Sequence, residues 1–596
     1  MSTSPDPCDR RRQGAFRLSA ASLPKLYLFI AAAAFLVYGN SLFNGFTGDD
    51  FFVVVNNDFV KSWKNLPLLF GASYITRASD LSHLGRVAIG AGELTYRPVV
   101  TLSYFFDYAL WKLHPSGYHL TNLALHAANA VLLCCFVFLA AKDKALAFAA
   151  GLFFALHPVN TEAVNGIAHR EDLLAFLFFA ASLIGFARSG RAQAGRRLML
   201  SAFSVAAFAL AVFSKESAVS LPLVLVLYAR FVEKRSWKQA VSDPRLAAYA
   251  AVCLVFFFVS FFRMGGREAV RAAYPGGSFV TNMLTMLGVC ATYVRQLLAP
   301  AGLHATIPAD PALVASSFLE PRVLVSASFL LVFGLIMARA GRAFVTGHFA
   351  LLWLVAAALP VLNIVPMRII MAGRFLYLPC AAFCLLWAQV LLQPQPAERR
   401  GARAAQRGLM AVTLAAYALV TPMRNSVWKS DTTLWSEVTR YYPRYPAGHV
   451  NLGQELFMAG QAEKGIAEYQ TAAELDPRYR QDYFAILGNY YYRKGMLDEA
   501  QAQYAKALHA GGDTAYIHDV LGIISGRRGD YDAAIRHFKQ AIGLDPKYVE
   551  AYYNMGVTYL RAGAREEARR AFEELLELNP GYQPALDMLW SIAGRS

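Results

Sequence analysis

Apolar stretches of bilayer-spanning length recur along the first 423 residues of this 596-residue chain and then stop. A helix needs about 20 mostly apolar residues to cross a bilayer. Candidate spans lie at 23–43, 118–141, 143–157, 171–188, 198–213, 216–232, 245–264, 322–340, 343–362, 375–394 and 408–423. Hydrophobic residues make up 56% of the chain and charged residues 16%, too apolar for one soluble core. The remaining third has the composition of a soluble helical protein, so the chain has two parts built for two solvents.

The formal charge of +16 would suggest nucleic acid if it were clustered on a soluble face. It lies largely in short runs between apolar segments, at 10–12, 188–197, 230–238 and 399–407. That is the pattern of cytoplasmic loops, and nucleic acid is not an expected partner. With residues 1–22 as a cytoplasmic tail and 23–43 as an uncleaved first helix, eleven crossings put every basic run inside and the last third outside. Segment 281–300 would make a twelfth crossing, but Arg295 and Gln296 make it a better interfacial or re-entrant helix. Cysteines lie scattered, mostly in apolar stretches, and neither a zinc pair nor a disulfide framework is expected.

On this topology, polar residues gather at the outer ends of several helices, in outer loops 44–117 and 157–172. Asp49 and Asp50 follow the first span directly and precede an apolar run. Partial desolvation would raise their pKa values and suit either to be a general base, although two solvated interfacial acids would look the same. Arg97 precedes Pro98 and an amphipathic piece from Val99 to Trp111. His119, Asn122 and His126 have helical spacing, which packing alone could also explain. The densest cluster is His157-Pro158-Val159-Asn160-Thr161-Glu162, followed by His169-Arg170-Glu171-Asp172. Its ligand spacing matches no established zinc pattern, and no metal site is assigned. Lys215 and Glu216 sit between two apolar stretches, where ionisable residues are functional candidates or a plain helix-end pair. Arg374 begins another helix, where a guanidinium can grip phosphate in a bidentate fork or snorkel to the interface.

The last third repeats. Leu452-Gly453, Leu487-Gly488, Leu521-Gly522 and Met555-Gly556 are 35, 34 and 34 residues apart, and a second glycine follows each by seven: Gly460, Gly495, Gly529 and Gly563. Ala500, Tyr504 and Ala507, then Ala534, Phe538 and Ala541, then Ala568 and Phe572 fall at matching offsets. This resembles the tetratricopeptide repeat (TPR), with Gly465, Gly512 and Leu575 in place of the expected alanine, proline and alanine. About four repeats occupy 446–596, after a connecting segment 424–445. Residues 583–592 could cap the solenoid. Such arrays bind polypeptides and do not catalyse.

Read in order, Asp49-Asp50 with Asn57, Tyr96-Arg97-Pro98, His119 with Asn122 and His126, His157-Pro158 with Thr161-Glu162-Ala163, Arg170 with Asp172-Leu173-Leu174, Lys215-Glu216, and Arg374 with Leu376-Tyr377-Leu378-Pro379 resemble the transmembrane-and-TPR-containing O-mannosyltransferases. These are members of the GT-C class of membrane glycosyltransferases. The resemblance implies an all-α fold: a polytopic GT-C-like domain over 23–423 followed by a TPR solenoid. It implies a polyprenyl-phosphate sugar, mannose in the family, as donor and protein serine or threonine as acceptor, with inversion. Asp49 or Asp50 would be the base. Arg97, His126, His157, Glu162, Arg170, Asp172, Lys215, Glu216, Arg374 and Tyr377 would serve the donor phosphate and sugar. No obligatory cofactor is expected, the cations being able to replace a divalent metal. Asn160 stands where the family usually has histidine, and His169 and Glu171 replace smaller residues. The short array and compact loops look bacterial, which implies an inner membrane with the repeats on its periplasmic side. Rival readings are a GT-C transferase acting on a glycan or lipid, and a non-catalytic TPR scaffold anchored in the membrane.

Overall fold

The computed structural model describes residues 22–70, 96–263, 273–304, 313–367, 369–396 and 399–593. Part of the expected first outer loop (71–95), the tail 1–21 with its basic run, Cys8 and the stretch carrying Arg267 and Arg271 lie outside the described residues. Among the described residues every regular element is helical. The chain divides into Met1–Tyr441 and Tyr442–Ser596.

In the first unit, six helices are long and apolar enough to cross a membrane: Leu23–Phe43, Pro115–Ala141, Ile167–Ser189, Ala194–Val212, Pro321–Gly341 and Gly373–Leu391. Three shorter apolar helices join them, at Lys144–Leu156, Arg245–Ser260 and Gly347–Val361. The chain is thus a multi-pass membrane protein, but the eleven expected crossings are not eleven full-length helices. Residues 216–232 contain a helix of only 11 residues, Leu221–Phe231. At about 1.5 Å per residue it covers about half of a bilayer's apolar thickness. Residues 408–423 lie within Arg400–Asn425, a 26-residue helix whose first turns carry Arg400, Arg403 and Arg407. Segment 281–300 is the helix Phe279–Leu298. It is opened by Ser278, whose hydroxyl accepts the Thr281 N–H at 3.1 Å. Asp143 caps the helix Lys144–Leu156 in the same way, accepting from Ala145 and Leu146.

The core of this unit is a continuous cluster that includes Ile30, Leu133, Phe154, Phe176, Trp353 and Phe383. The described cysteines are free thiols. Loop 157–167 is buried almost throughout, which obliges its polar groups to find partners. Thr161 Oγ1 donates to the Pro158 carbonyl at 2.8 Å and Asn160 to the Phe154 carbonyl at 3.0 Å. Asn165 receives Asn44 at 3.0 Å and donates to Asn425 Oδ1 at 2.8 Å, and Asn425 donates to Asn40 Oδ1 at 2.8 Å. Four asparagines thereby lock the first helix end, the buried loop and the end of the last membrane-unit helix together.

The second unit is four helix pairs and a final helix: Pro446–Met458 with Ala462–Leu475, Arg480–Arg493 with Leu497–His509, Ala515–Arg527 with Tyr531–Leu544, Val549–Arg561 with Arg565–Leu578, then Gln583–Ala593. It is a TPR solenoid. The repeat glycines are explained by close approach: a Cβ on Gly522 or Gly556 would stand 2.6 Å from the ring of Phe538 or Phe572. The departures have causes too. A Cβ on Gly465 would meet Phe457 at 2.7 Å. The Gly512 N–H donates to the Ala507 carbonyl at 2.9 Å, a bond proline could not make. Leu575 is fully buried in the cluster that the last helix closes through Ala585.

Candidate active site

Four chain segments, far apart in sequence, deliver charged groups to one place. Arg97 precedes Pro98, and a residue before proline is kept out of the helical region, so it stands off the start of the helix Pro98–Trp111. Glu171 and Asp172 lie in the first turn of Arg170–Ser189. Lys215 and Glu216 occupy the break between Ala194–Val212 and Leu221–Phe231, with Lys215 extended at φ −156°. Arg374 lies in the turn that starts the helix Tyr377–Leu391.

The groups form a chain of ion pairs. Glu171 bridges Arg97 and Lys215, the latter at 3.3 Å. Lys215 also holds Asp172 at 2.6 Å and lies over the Phe375 ring. Arg97 also holds Glu216 at 2.9 Å, with the Glu216 side chain 51% exposed. Arg374 pairs with Glu162, whose second oxygen accepts the Arg374 backbone N–H at 3.0 Å. His169 stands 3.8 Å from Glu162. Gly373 makes the Glu162 contact possible, because a Cβ there would lie 2.8 Å from Glu162 Oε2. We therefore expect Gly373→Ala to displace the Glu162–Arg374 pair and cut activity about 100-fold, as misplacement by an ångström can. Turnover measured beside a thermal midpoint separates this from unfolding.

The two adjacent aspartates differ. Asp50 is 1% exposed and accepts backbone N–H groups from Thr47 at 3.0 Å and Ala168 at 2.7 Å. It ties the segment after the first helix to the turn Ile167–His169. Asp49 is partly exposed, its carboxylate accepts no hydrogen bond among the described residues, and it lies within the field of Arg374 and Glu171. Burial pushes the carboxyls of both up to about 7, opposed at Asp49 by the Arg374 guanidinium and at Asp50 by the two N–H groups.

Other residues expected at the donor site stand elsewhere. Arg170 is fully buried and committed to Asp107, to Asn122 Oδ1 at 2.7 Å, to Ser103 Oγ at 3.2 Å and to the Tyr118 carbonyl at 3.3 Å. The helix turns it away from its neighbours Glu171 and Asp172. His126 and Tyr377 are buried against each other at 2.9 Å, with Asn129 donating to the same phenol at 3.0 Å. His157 is buried between the Leu297 carbonyl and the Val159 N–H. These four hold helices together with their polar atoms engaged. His119 is buried too, against the Gly45 carbonyl. Glu171, absent from the expected donor set, is the centre of the network. The sequence marked it within the His169-Arg170-Glu171-Asp172 cluster, in place of a smaller residue of the family, but gave it no role. Among the described residues no group of three or more histidine, cysteine, aspartate or glutamate side chains is arranged to hold a metal ion.

Comparison with known proteins bears on this constellation. The protein O-mannosyl-transferase Tmtc3 of Drosophila melanogaster is 25% identical over 93% of this chain and 69% of its own length. The protein O-mannosyl-transferase TMTC3 of Mus musculus is 23% identical over 87% of this chain and 60% of its own. The chain is a distant relative of these proteins. It spans between three fifths and about two thirds of their length. The tetratricopeptide repeat family model matches residues 527–589. Among solved structures, the crystal structure of MamA aligns with 25% of this chain and 87% of its own at 22% identity and a TM-score of 0.23.

Proposed function

We propose that the chain is a GT-C-type membrane glycosyltransferase. In this reading it moves mannose from a polyprenyl-phosphate donor to serine or threonine hydroxyls of extracytoplasmic polypeptides. The observation that carries the reading is that Asp49, whose carboxylate accepts no hydrogen bond among the described residues, lies in the field of Arg374 and of Glu171, which itself pairs with Arg97 and Lys215. Such a reaction needs a base for the attacking hydroxyl and positive charge for the departing phosphate.

In one displacement, the acceptor oxygen bonds to the anomeric carbon as the carbon–oxygen bond to phosphate breaks. The hydroxyl proton passes to Asp49 and the electron pair leaves on the phosphate, so the anomeric centre inverts. Phosphate needs no general acid to leave. Each of the three cations is already paired with a carboxylate, so phosphate reaches them by exchange. Glu216 is the partner that water can take over, being half-exposed. Glu162 and Asp172 orient Arg374 and Lys215. No divalent metal is required by this scheme.

The helices also support an extracytoplasmic site. Arg188, at the far end of Arg170–Ser189, and Arg230, at the far end of Leu221–Phe231, belong to basic runs, whereas Glu171, Asp172 and Glu216 mark the opposite ends. In a bacterial cell this is the periplasmic face of the inner membrane. The TPR unit on that side would hold the acceptor polypeptide or a partner protein.

The reading is tested by the pH dependence of transfer. Asp49 works as a base only when ionised, and with its carboxyl near 7 the rate should fall roughly tenfold for each pH unit below about 7 and level off above it. A flat profile from pH 5.5 to 8.5, with binding unchanged, would remove Asp49 from the base role.

A further inference from the structure

The place of the Asp49 carboxylate is set by the backbone that carries it. That backbone is the turn 47–50, which Gly48 takes at φ +52°, a conformation that strains any side chain. The turn is closed from within: the Asp50 N–H donates to the Thr47 carbonyl, and the Thr47 N–H to Asp50 Oδ2, each at 3.0 Å. It is also held from without, by a segment near the end of the membrane unit. The Gly45 N–H donates to the Lys429 carbonyl at 3.0 Å. The Gly48 N–H donates to Asp431 Oδ1 at 2.6 Å, across 383 residues of sequence. Bonds to a carboxylate are the short and strong ones.

Asp431 opens the helix Asp431–Tyr441, where an acid ordinarily serves the N-terminal N–H groups of its own helix. Ser430 already caps this helix, its hydroxyl accepting the Thr433 N–H at 3.3 Å. Asp431 is 6% exposed and gives an oxygen to the residue before the base. It also brings a charge. Among the described residues, Arg374 favours ionisation of Asp49, while Glu171 and Asp431 oppose it, with Asp50 adjacent in the chain. A like charge nearby disfavours the ionised form, so Asp431 works with burial to keep the Asp49 carboxyl high.

We propose that Asp431 is a positioning residue for the base: it fixes the backbone that carries Asp49 and holds a like charge beside it. The inference rests on the reading of Asp49 as the general base and adds to it the residue that controls that base.

The test is the pH profile of mannose transfer from polyprenyl-phosphate mannose to a serine/threonine-rich peptide. The purified full-length chain is compared with Asp431→Asn and Asp431→Ala. The amide keeps an acceptor oxygen for the Gly48 N–H and removes the charge. The base should then stay ionised at lower pH, and the acid limb of Asp431→Asn should move below its wild-type position near about 7. Its rate relative to wild type should therefore be higher at about pH 6 than at about pH 8, a change that general loss of structure would not produce. Alanine removes the bond as well, and the plateau rate should fall about 10–100-fold at unchanged donor KM, as the base loses its place. Thermal midpoints measured beside the rates account for any unfolding, and if Asp431→Ala does not fold, Asp431→Asn decides alone. An acid limb that Asp431→Asn leaves in place, with rates lost only in step with the folded fraction, overturns the positioning role and leaves Asp49 as base. A wild-type profile without an acid limb removes the base assignment and the positioning role together.

Discussion

Asp49→Asn should lower sugar transfer by about 10²–10⁴-fold, the usual contribution of a positioned general base, at unchanged thermal stability. Nothing in the described fold hangs from the Asp49 carboxylate, so an isosteric amide disturbs no contact. Asp50→Asn should do the opposite. Its carboxylate accepts from Thr47 and Ala168, and an amide would turn a donor toward one of those N–H groups. The expected loss is about 1.5–3 kcal/mol of stability, with residual transfer tracking the folded fraction. The pair of variants is decisive because the residues are adjacent and chemically identical. If Asp50→Asn folds normally and loses all transfer while Asp49→Asn stays active, the base assignment is reversed.

Arg170→Met should be the most damaging substitution for the fold. The guanidinium has no solvent exposure and joins three helices: Asp107 and Ser103 from Pro98–Trp111, Asn122 and Tyr118 from Pro115–Ala141, and its own. It also lies 5.0 Å over the Tyr104 ring. Removing it strands Asp107 as a buried charge, at a cost of about 3–5 kcal/mol. Thermal unfolding in detergent measures this. The double variant Arg170→Met with Asp107→Leu should recover most of the loss, since no buried charge is then left alone. Normal stability in Arg170→Met with donor binding lost would instead return Arg170 to the donor site.

What was legible in the sequence follows from how local each signal is. The TPR unit was legible because each repeat is a local helix pair, and its glycines and aromatics meet within one period, as Gly522 meets Phe538. The apolar helices were legible for the same reason, but their lengths were not. Leu221–Phe231 starts late because Lys215 is extended and Glu216 turns to reach Arg97. Within the site, the charged residues were visible as types, and Arg97, Glu162, Asp172, Lys215, Glu216 and Arg374 do converge. Their partners were not visible, because pairing spans 119 residues for Arg97 with Glu216 and 212 for Arg374 with Glu162. Neighbours in sequence separated in space: Arg170 and Glu171 point to different clusters although they are adjacent, because successive residues of a helix face different sides. Gln296 stood out only as an awkward polar residue in an apolar segment. The reason appears once the Gly302 carbonyl is beside it, which its amide nitrogen reaches at 3.0 Å.

The most direct measurement is sugar transfer by the purified full-length chain in detergent, given polyprenyl-phosphate mannose and a serine/threonine-rich peptide, with Asp49→Asn run in parallel. The account predicts mannose on peptide hydroxyls with wild type, with inversion at the anomeric carbon, and transfer about 10²–10⁴-fold slower with Asp49→Asn. Equal transfer by both proteins, or none by a folded wild type that binds the donor, would contradict it.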